Sequence, residues 1–150
     1  GYFSSEKYPG WTRIDFVIDS GASASTIPKE LVGKVKLGES VGYHSFRLAN
    51  GSLVPNEGTL VAKAWLMGNE EVAMRMAVAN ISQPLISVGQ MVNQGNKVVL
   101  SPKVSYLETK SGGIHRIFQR NGVYVLPVWI DSAKVSKRSS PFSGQGHSCL

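Results

Sequence analysis

The chain has 150 residues, of which 42% are hydrophobic and 17% charged, so it can bury the core of one globular domain and is not expected to be disordered throughout. A single cysteine, Cys149, excludes an internal disulfide and a cysteine-based metal site, and the three histidines lie too far apart in sequence for a metal-ligand motif. The net charge of +6 would allow non-specific contact with nucleic acid, but the basic residues are scattered, and we interpret them as a solubilising surface.

Neither a membrane span nor a signal peptide is predicted. No apolar stretch approaches the length that crosses a bilayer, and no basic segment followed by an apolar one opens the chain. A lone thiol fits a reducing compartment, so we expect an intracellular protein.

Turn residues and hydrophobic periodicity predict three regions: an N-terminal arm (1–10), one domain (11–130) and a flexible, basic, Ser-rich tail (131–150). Short strands alternate with turns in the domain, which is typical of an all-β, barrel-like fold. In chain order we predict strands at 11–18, 45–49, 52–65, 72–78, 98–100, 106–109, 114–118 and 123–130, a helical turn or loop at 28–32, and an apolar segment at 85–89 that leads into a short helix at 90–95.

Asn50-Gly51 is the strongest type of short hairpin signal, and a turn is also predicted at Asn121-Gly122. A two-residue turn of this type needs positive φ at both positions, which Asn and Gly tolerate. Pro55 removes a hydrogen-bond donor from the returning strand, so we predict an edge or a projecting arm there. Along 72–78 the side chains Val72, Met74, Met76 and Val78 fall on one face, and we assign that face to the core rather than to a substrate pocket.

The apolar run Phe16-Val17-Ile18 ends on a carboxylate, Asp19, followed by Ser20 and Gly21. A buried, unpaired charge is costly, so this carboxylate must be paired, neutralised or used. Arg13 is too far along the strand to pair with it. The simpler alternative is a turn in which Asp19 accepts hydrogen bonds from nearby backbone N–H groups.

The wider pattern resembles the retroviral-type (retropepsin-like) aspartic proteases, in particular the protease domain of copia-type LTR retrotransposon polyproteins. Val17-Ile18-Asp19-Ser20-Gly21-Ala22 is similar to the motif that carries the family's catalytic aspartate. A hairpin follows, in the place of the family's flap, and Leu85-Ile86-Ser87-Val88-Gly89 is similar to the element that leads into its single helix. Segments 84–100 and 121–127 also resemble copia-type sequence, so the likeness covers roughly residues 11–128.

The resemblance implies a retropepsin-like closed barrel with a flap hairpin, one short helix and a C-terminal β-hairpin extension. It implies an aspartic endopeptidase without metal or cofactor, whose substrates include its own polyprotein, in the cytoplasm or within virus-like particles. The residues implied are Asp19, Ser20 and Gly21 for catalysis, Ala22, Leu48, Ala49, Asn50 and Gly51 for substrate binding, and Val88 and Gly89 for structural support.

One aspartate cannot perform this reaction, because one carboxylate must act as a base while another, protonated, acts as an acid. The chain contains only Asp15, Asp19 and Asp131, and only Asp19 is followed by Ser or Thr and Gly. We therefore predict that Asp19 of a second copy completes the site, because a two-fold axis places the same residue on both sides.

Two positions depart from the family. Retroviral proteases usually carry an acid four residues after the catalytic aspartate and an arginine after the second glycine, where this chain has Ser23 and Gln90. Without that ion pair we predict a weak homodimer, monomeric when dilute.

Two other functions are compatible with the chain. The first is a non-catalytic or ubiquitin-shuttle-type dimeric module of the same fold. The second is a basic nucleic-acid-binding barrel, which we disfavour because Trp11, Trp65 and Trp129 are not interleaved with basic residues along one face. We expect neither a specific nucleic-acid partner nor a membrane partner.

Overall fold

The computed structural model describes residues 9–40, 42 and 44–136. Eleven β-strands, one α-helix and one 3-10 turn (Lys29–Leu31) form in these residues. The strands are β1 (Trp11–Asp19), β2 (Thr26–Pro28), β3 (Ser45–Arg47), β4 (Leu53–Pro55), β5 (Thr59–Leu66), β6 (Glu70–Ala79), β7 (Leu85–Ser87), β8 (Lys97–Val99), β9 (Ser105–Glu108), β10 (Ile114–Arg120) and β11 (Val123–Asp131), and the helix is α1 (Val88–Asn93).

Six strands close into a barrel in the order β1, β7, β2, β6, β5, β11 and back to β1. The β1–β7 and β2–β6 pairs are parallel, and the other four are antiparallel. Closure removes the two outer edges that an open sheet of these six strands would carry, although the short β2 covers β6 only at residues 77–79. The predicted all-β class, with a closed barrel and one short helix, is confirmed.

Strand β11 is part of this barrel, so only part of the predicted C-terminal extension lies outside it. It pairs with β1 over residues 11–17 and with β5 around Trp65. Residues 125–130 are all buried, because both faces of the strand are covered. The extension is the antiparallel set β8–β9–β10, which joins the barrel through β10 and β11.

The barrel core follows the predicted alternation on β6. Met74, Met76 and Val78 are buried, and they belong to the same core cluster as Phe16 of β1 and Val128 of β11. Each buried side chain of this size contributes about 1.5–3 kcal/mol through removal of apolar surface from water. The interpretation of this face as core is confirmed.

The β3–β4 hairpin forms a separate two-stranded sheet, as expected for a projecting arm. Its turn differs from the prediction, because Gly51 has a φ of 89° while Asn50 does not have a positive φ. Gly51 N–H donates to Leu48 O (2.9 Å) and Leu48 N–H to Ser52 O (2.8 Å), which makes a three-residue loop. The Asn50 Oδ1 atom accepts from the backbone N–H of Ser52 (3.0 Å), and this side-chain turn favours negative φ.

The predicted strand at 52–65 is divided in two. Residues 56–58 leave the sheet between β4 and β5, where Gly58 adopts a φ of 137° and its N–H donates to the buried Asn56 Oδ1. A side chain at Gly58 would be strained at this φ, so the glycine determines where the long strand breaks.

The two ends of the domain are defined only in part. Residues 1–8 of the predicted arm and 137–150 of the predicted tail lie outside the described residues. The tail was predicted to begin at 131, but β11 continues through Asp131, and Val135, only 4% exposed, forms a bridge with Val32. The C-terminal boundary of the packed domain therefore lies beyond Val135.

Candidate active site

Asp19 is the last residue of β1, at one end of the barrel. It lies in parallel register with Ser87, the last residue of β7. The preceding Phe16 is fully buried, whereas Asp19 itself is half-buried. The strand thus carries the carboxylate from the core to the surface and does not leave it buried.

The Asp19 carboxylate is held by its own loop. Its Oδ1 accepts from Gly21 N–H at 2.8 Å, and its backbone carbonyl accepts from Ala22 N–H at 3.4 Å. A Cβ at position 21 would lie 3.4 Å from that Oδ1. In the described part of the chain, no group hydrogen bonds the other carboxylate oxygen. Arg13 binds Asp15 instead (Nε to Oδ1, 2.9 Å), as its distance from Asp19 in sequence suggested.

Ser20 and Gly21 are exposed at the tip of this loop, and Ala22 is half-buried. The Ser20 hydroxyl makes no hydrogen bond to any described residue. An exposed hydroxyl beside a carboxylate can donate to a group outside its own chain.

The loop rests on Ser87, which sequence reasoning did not single out. The side chain of Ser87 is fully buried, and its hydroxyl donates to Ala22 O at 2.7 Å. Ser87 N–H donates to Ser25 Oγ (3.0 Å), while Ser87 Oγ accepts from Gln90 N–H (3.0 Å). The last bond makes Ser87 the N-cap of α1 and explains why the helix begins at Val88 rather than at residue 90. A serine just before a predicted helix was the available signal.

Gln90 joins three elements. Its Oε1 accepts from Ser25 N–H at 2.8 Å, and its Nε2 donates to Arg75 O on β6 at 3.4 Å. Ser23, the other position that departs from the family, is exposed. The loop after Asp19 is therefore attached to the helix and to β6 by neutral hydrogen bonds.

The two predicted support residues, Val88 and Gly89, form the first turn of α1. Val88 is half-buried, and a Cβ at Gly89 would meet only Ser87 Oγ, at 3.8 Å. No described residue therefore requires glycine at position 89.

The predicted substrate-binding residues 48–51 occupy the tip of the β3–β4 hairpin. Ala49, Asn50 and Gly51 are exposed, Leu48 is half-buried, and Arg47 donates to Gly51 O at 3.0 Å. No hydrogen bond joins this tip to the Asp19 loop among the residues described here. The hairpin is thus a separate element that its own turn stabilises.

A second polar cluster, not anticipated from sequence, surrounds Glu70. The buried His115 accepts from Gly68 N–H at Nδ1 (3.0 Å), so Nε2 carries the proton and donates to Glu70 Oε1 at 2.7 Å. The hydroxyls of Thr109 and Ser111 also donate to the Glu70 carboxylate. Burial raises the pKa of Glu70, but the hydrogen bonds from His115, Ser111 and Thr109 outweigh it and hold the pKa below its usual value.

This cluster has no nucleophile–base geometry, because neither hydroxyl contacts the imidazole and both ring nitrogens are engaged. Its hydrogen bonds attach the turn between β5 and β6 to the β9–β10 hairpin. We therefore assign it a structural role.

A cavity of about 250 Å³ lies between β6, α1 and β9, and its lining includes Ser25 and Gln90 but not Asp19. Apolar core side chains form its interior: Leu66, Met74, Ile86, Met91, Leu107 and Leu126.

Comparisons of the chain with protein-family models, curated proteins and solved structures find no significant match. Among the described residues, no helix has the length and apolar character needed to cross a membrane.

Proposed function

We propose that the chain is a retropepsin-like aspartic endopeptidase that acts as a homodimer, with one Asp19 from each copy. The observation that carries the proposal is the position of Asp19. It ends a barrel strand beside β7, on a loop fixed by Ser87, in a chain that has no second Asp-Ser/Thr-Gly. Its substrates would be extended polypeptides, including its own retrotransposon polyprotein, in the cytoplasm or within virus-like particles.

A second copy supplies what one chain lacks. One oxygen of the Asp19 carboxylate is engaged by Gly21 N–H, which leaves the other available to a water or to a second carboxylate. Two carboxylates that meet across the two-fold axis cannot both ionise without a large cost in free energy, so the pair shares one proton. The resulting titration belongs to the pair rather than to either residue.

The reaction follows from that shared proton. The ionised carboxylate removes a proton from a water, whose oxygen adds to the scissile carbonyl carbon, while the protonated carboxyl gives its proton to the carbonyl oxygen. Transfer of a proton to the amide nitrogen then breaks the C–N bond and releases an amine and a carboxylic acid. The Ser20 hydroxyl would donate across the two-fold axis to the partner's backbone.

The β3–β4 hairpin would act as the flap. An extended substrate needs backbone hydrogen bonds along its length, and a two-stranded arm can supply them while it excludes water from the reaction. The exposed backbone at 49–51 is the part of the hairpin available for this contact.

Hydrolysis of a peptide mixture at mildly acid pH, read by mass spectrometry, tests the proposal. We expect cleavage by the wild type and none by Asp19→Asn. The two proteins should have the same thermal unfolding midpoint, which shows that the variant is folded. Asp15→Asn is the matched control, because it makes the same change on the same strand at a residue bound to Arg13 and Arg120, and it should retain cleavage. Cleavage by Asp19→Asn would overturn the proposal. A dimer without cleavage at any concentration would favour the non-catalytic dimeric module.

A further inference from the structure

One edge of β6 is open. β5 pairs with β6 from Glu70 to Ala77, but on the other side β2 pairs only with Ala77, Val78 and Ala79. In the described part of the chain, no strand covers this second edge over residues 70–76. A row of unpaired backbone groups is a template for another extended chain.

The direction of the free groups follows from two hydrogen bonds. Arg75 O accepts from Gln90, and Ala77 N–H donates to Ser25 O, so both groups point away from β5. Backbone groups of an antiparallel strand alternate in direction, so those of Glu71 and Ala73 point the same way. No described residue hydrogen bonds them, and Gln90 ends the open stretch at Arg75.

The cavity described above opens beside this edge. Val72, Ala73, Met74 and Arg75 form one wall, and the residues of α1 and β9 face them across the cavity. A volume of about 250 Å³ accommodates one large apolar side chain. A strand edge beside an apolar cavity suits an extended peptide, whose backbone pairs with the edge while one side chain is buried.

The charges around the edge differ between its two ends. Arg75 and Glu71 are both exposed, at opposite ends of the open stretch. Among the described residues, no carboxylate lies within ion-pair distance of Arg75. A peptide carboxylate is therefore favoured at the Arg75 end, and the net charge of +6 also favours an acidic partner.

We infer that the open edge of β6, at residues 71–75, binds an extended acidic peptide segment of a partner protein. The segment adds as a strand beside Ala73, inserts one apolar side chain between β6 and α1, and places a carboxylate near Arg75. This site does not include Asp19 and does not depend on the proposed function.

Selection from a random octapeptide phage library tests the inference. The Asp19→Asn chain serves as bait, so that no peptide is cleaved, and the enriched peptides are measured by fluorescence anisotropy. We expect peptides that combine one large apolar residue with Asp or Glu, and that protect residues 71–75 from hydrogen exchange.

Ala73→Pro removes the N–H that points away from β5 and keeps the ladder to β5, so it should weaken binding about tenfold or more at an unchanged thermal midpoint. Arg75→Gln should weaken the binding of the acidic peptides. Lys63 is an exposed cation opposite Ala73 on β5 that does not line the cavity, so Lys63→Gln should leave their binding unchanged.

Three results would overturn the inference. One is a selection that yields no enriched family, and another is peptides that bind Ala73→Pro as tightly as the parent. The third is protection of residues 71–75 from hydrogen exchange in the free chain, if that protection is lost when residues 1–8 or 137–150 are deleted. Such a result would mean that the chain's own ends occupy the edge.

Discussion

Gln90, like Ser87, has a side chain that attaches the Asp19 loop to the rest of the barrel. It satisfies the backbone N–H of Ser25, a residue only 5% exposed, and it reaches the carbonyl of Arg75 on β6. A neutral amide performs both tasks, whereas an arginine could donate to Arg75 but could not accept from Ser25. Both backbone groups are therefore satisfied by a neutral side chain, at a position where the retroviral proteases that the sequence resembles carry an arginine.

Gln90→Leu should destabilise the chain by about 1–3 kcal/mol, because the Ser25 N–H loses its acceptor in a buried place. Urea unfolding measures the change. Gln94→Leu is the matched control at the C-cap of the same helix, at an exposed position, and should change stability by less than about 0.5 kcal/mol. Equal effects of the two substitutions would contradict the role assigned to Gln90.

The position of Asp19 at the end of a strand could be predicted at the residue scale because its signal is local. An apolar run that ends on Asp-Ser-Gly is visible in a single stretch of sequence, and the structure shows that run as β1. Ser87 and Gln90 contact the Asp19 loop across more than 60 positions of sequence, at Ala22 and Ser25. Their partners become known only when β7 lies beside β1, so sequence alone could not assign them.

The β9–β10 hairpin is the element whose attachment to the barrel depends on a titratable group. Its Thr109, Ser111 and His115 all donate to Glu70, the first residue of β6. Gly113 leaves room for this arrangement, since a Cβ there would collide with the Glu70 carboxylate. The hairpin is thus held by an ionised Glu70.

Stability should fall when Glu70 is protonated. The folded-state pKa of Glu70 lies below its ordinary value of 4.5, so its contribution is complete above pH 4.5 and is lost as the pH falls through the lower folded value. The difference in unfolding free energy between wild type and Glu70→Gln should therefore be largest at neutral pH and shrink below pH 4.5. Urea unfolding across this range measures it.

Glu71→Gln is the control for the loss of a carboxylate at this end of β6, because Glu71 is the exposed neighbour and lies outside the cluster. At neutral pH it should change the free energy of unfolding by much less than Glu70→Gln does. A Glu70→Gln difference that grows as the pH falls would contradict the assignment of an ionised Glu70.

At the element scale, the sequence predicted which segments form strands better than it predicted which strands pair with each other. The alternation on β6 and the turn at Asn121 and Gly122, where both φ angles are positive, are local features. The role of β11 could not be predicted from its local sequence, because a continuous apolar run fits any strand that is covered on both faces. Only its pairing with β1 and β5 shows that it closes the barrel.

On the scale of the whole molecule, β1 pairs with β11 of the same chain over residues 11–17. In the retroviral proteases that the sequence resembles, the chain ends instead interleave in a sheet shared by two copies. That edge of β1 is therefore already occupied. Among the described residues, the dimer proposed above would depend on contacts of the Asp19 loop and the hairpin, which is a small area for a stable interface.

The proposed dimer should therefore be weak, with the site complete only when two copies meet. Sedimentation should show a single species near 16.2 kDa at nanomolar concentration and a heavier one as the concentration rises into the micromolar range. Hydrolysis per chain should fall on dilution, because the active species forms in proportion to the square of the monomer concentration. A dimer that persists at nanomolar concentration, or a rate per chain that is independent of dilution, would contradict a site assembled from two weakly associated copies.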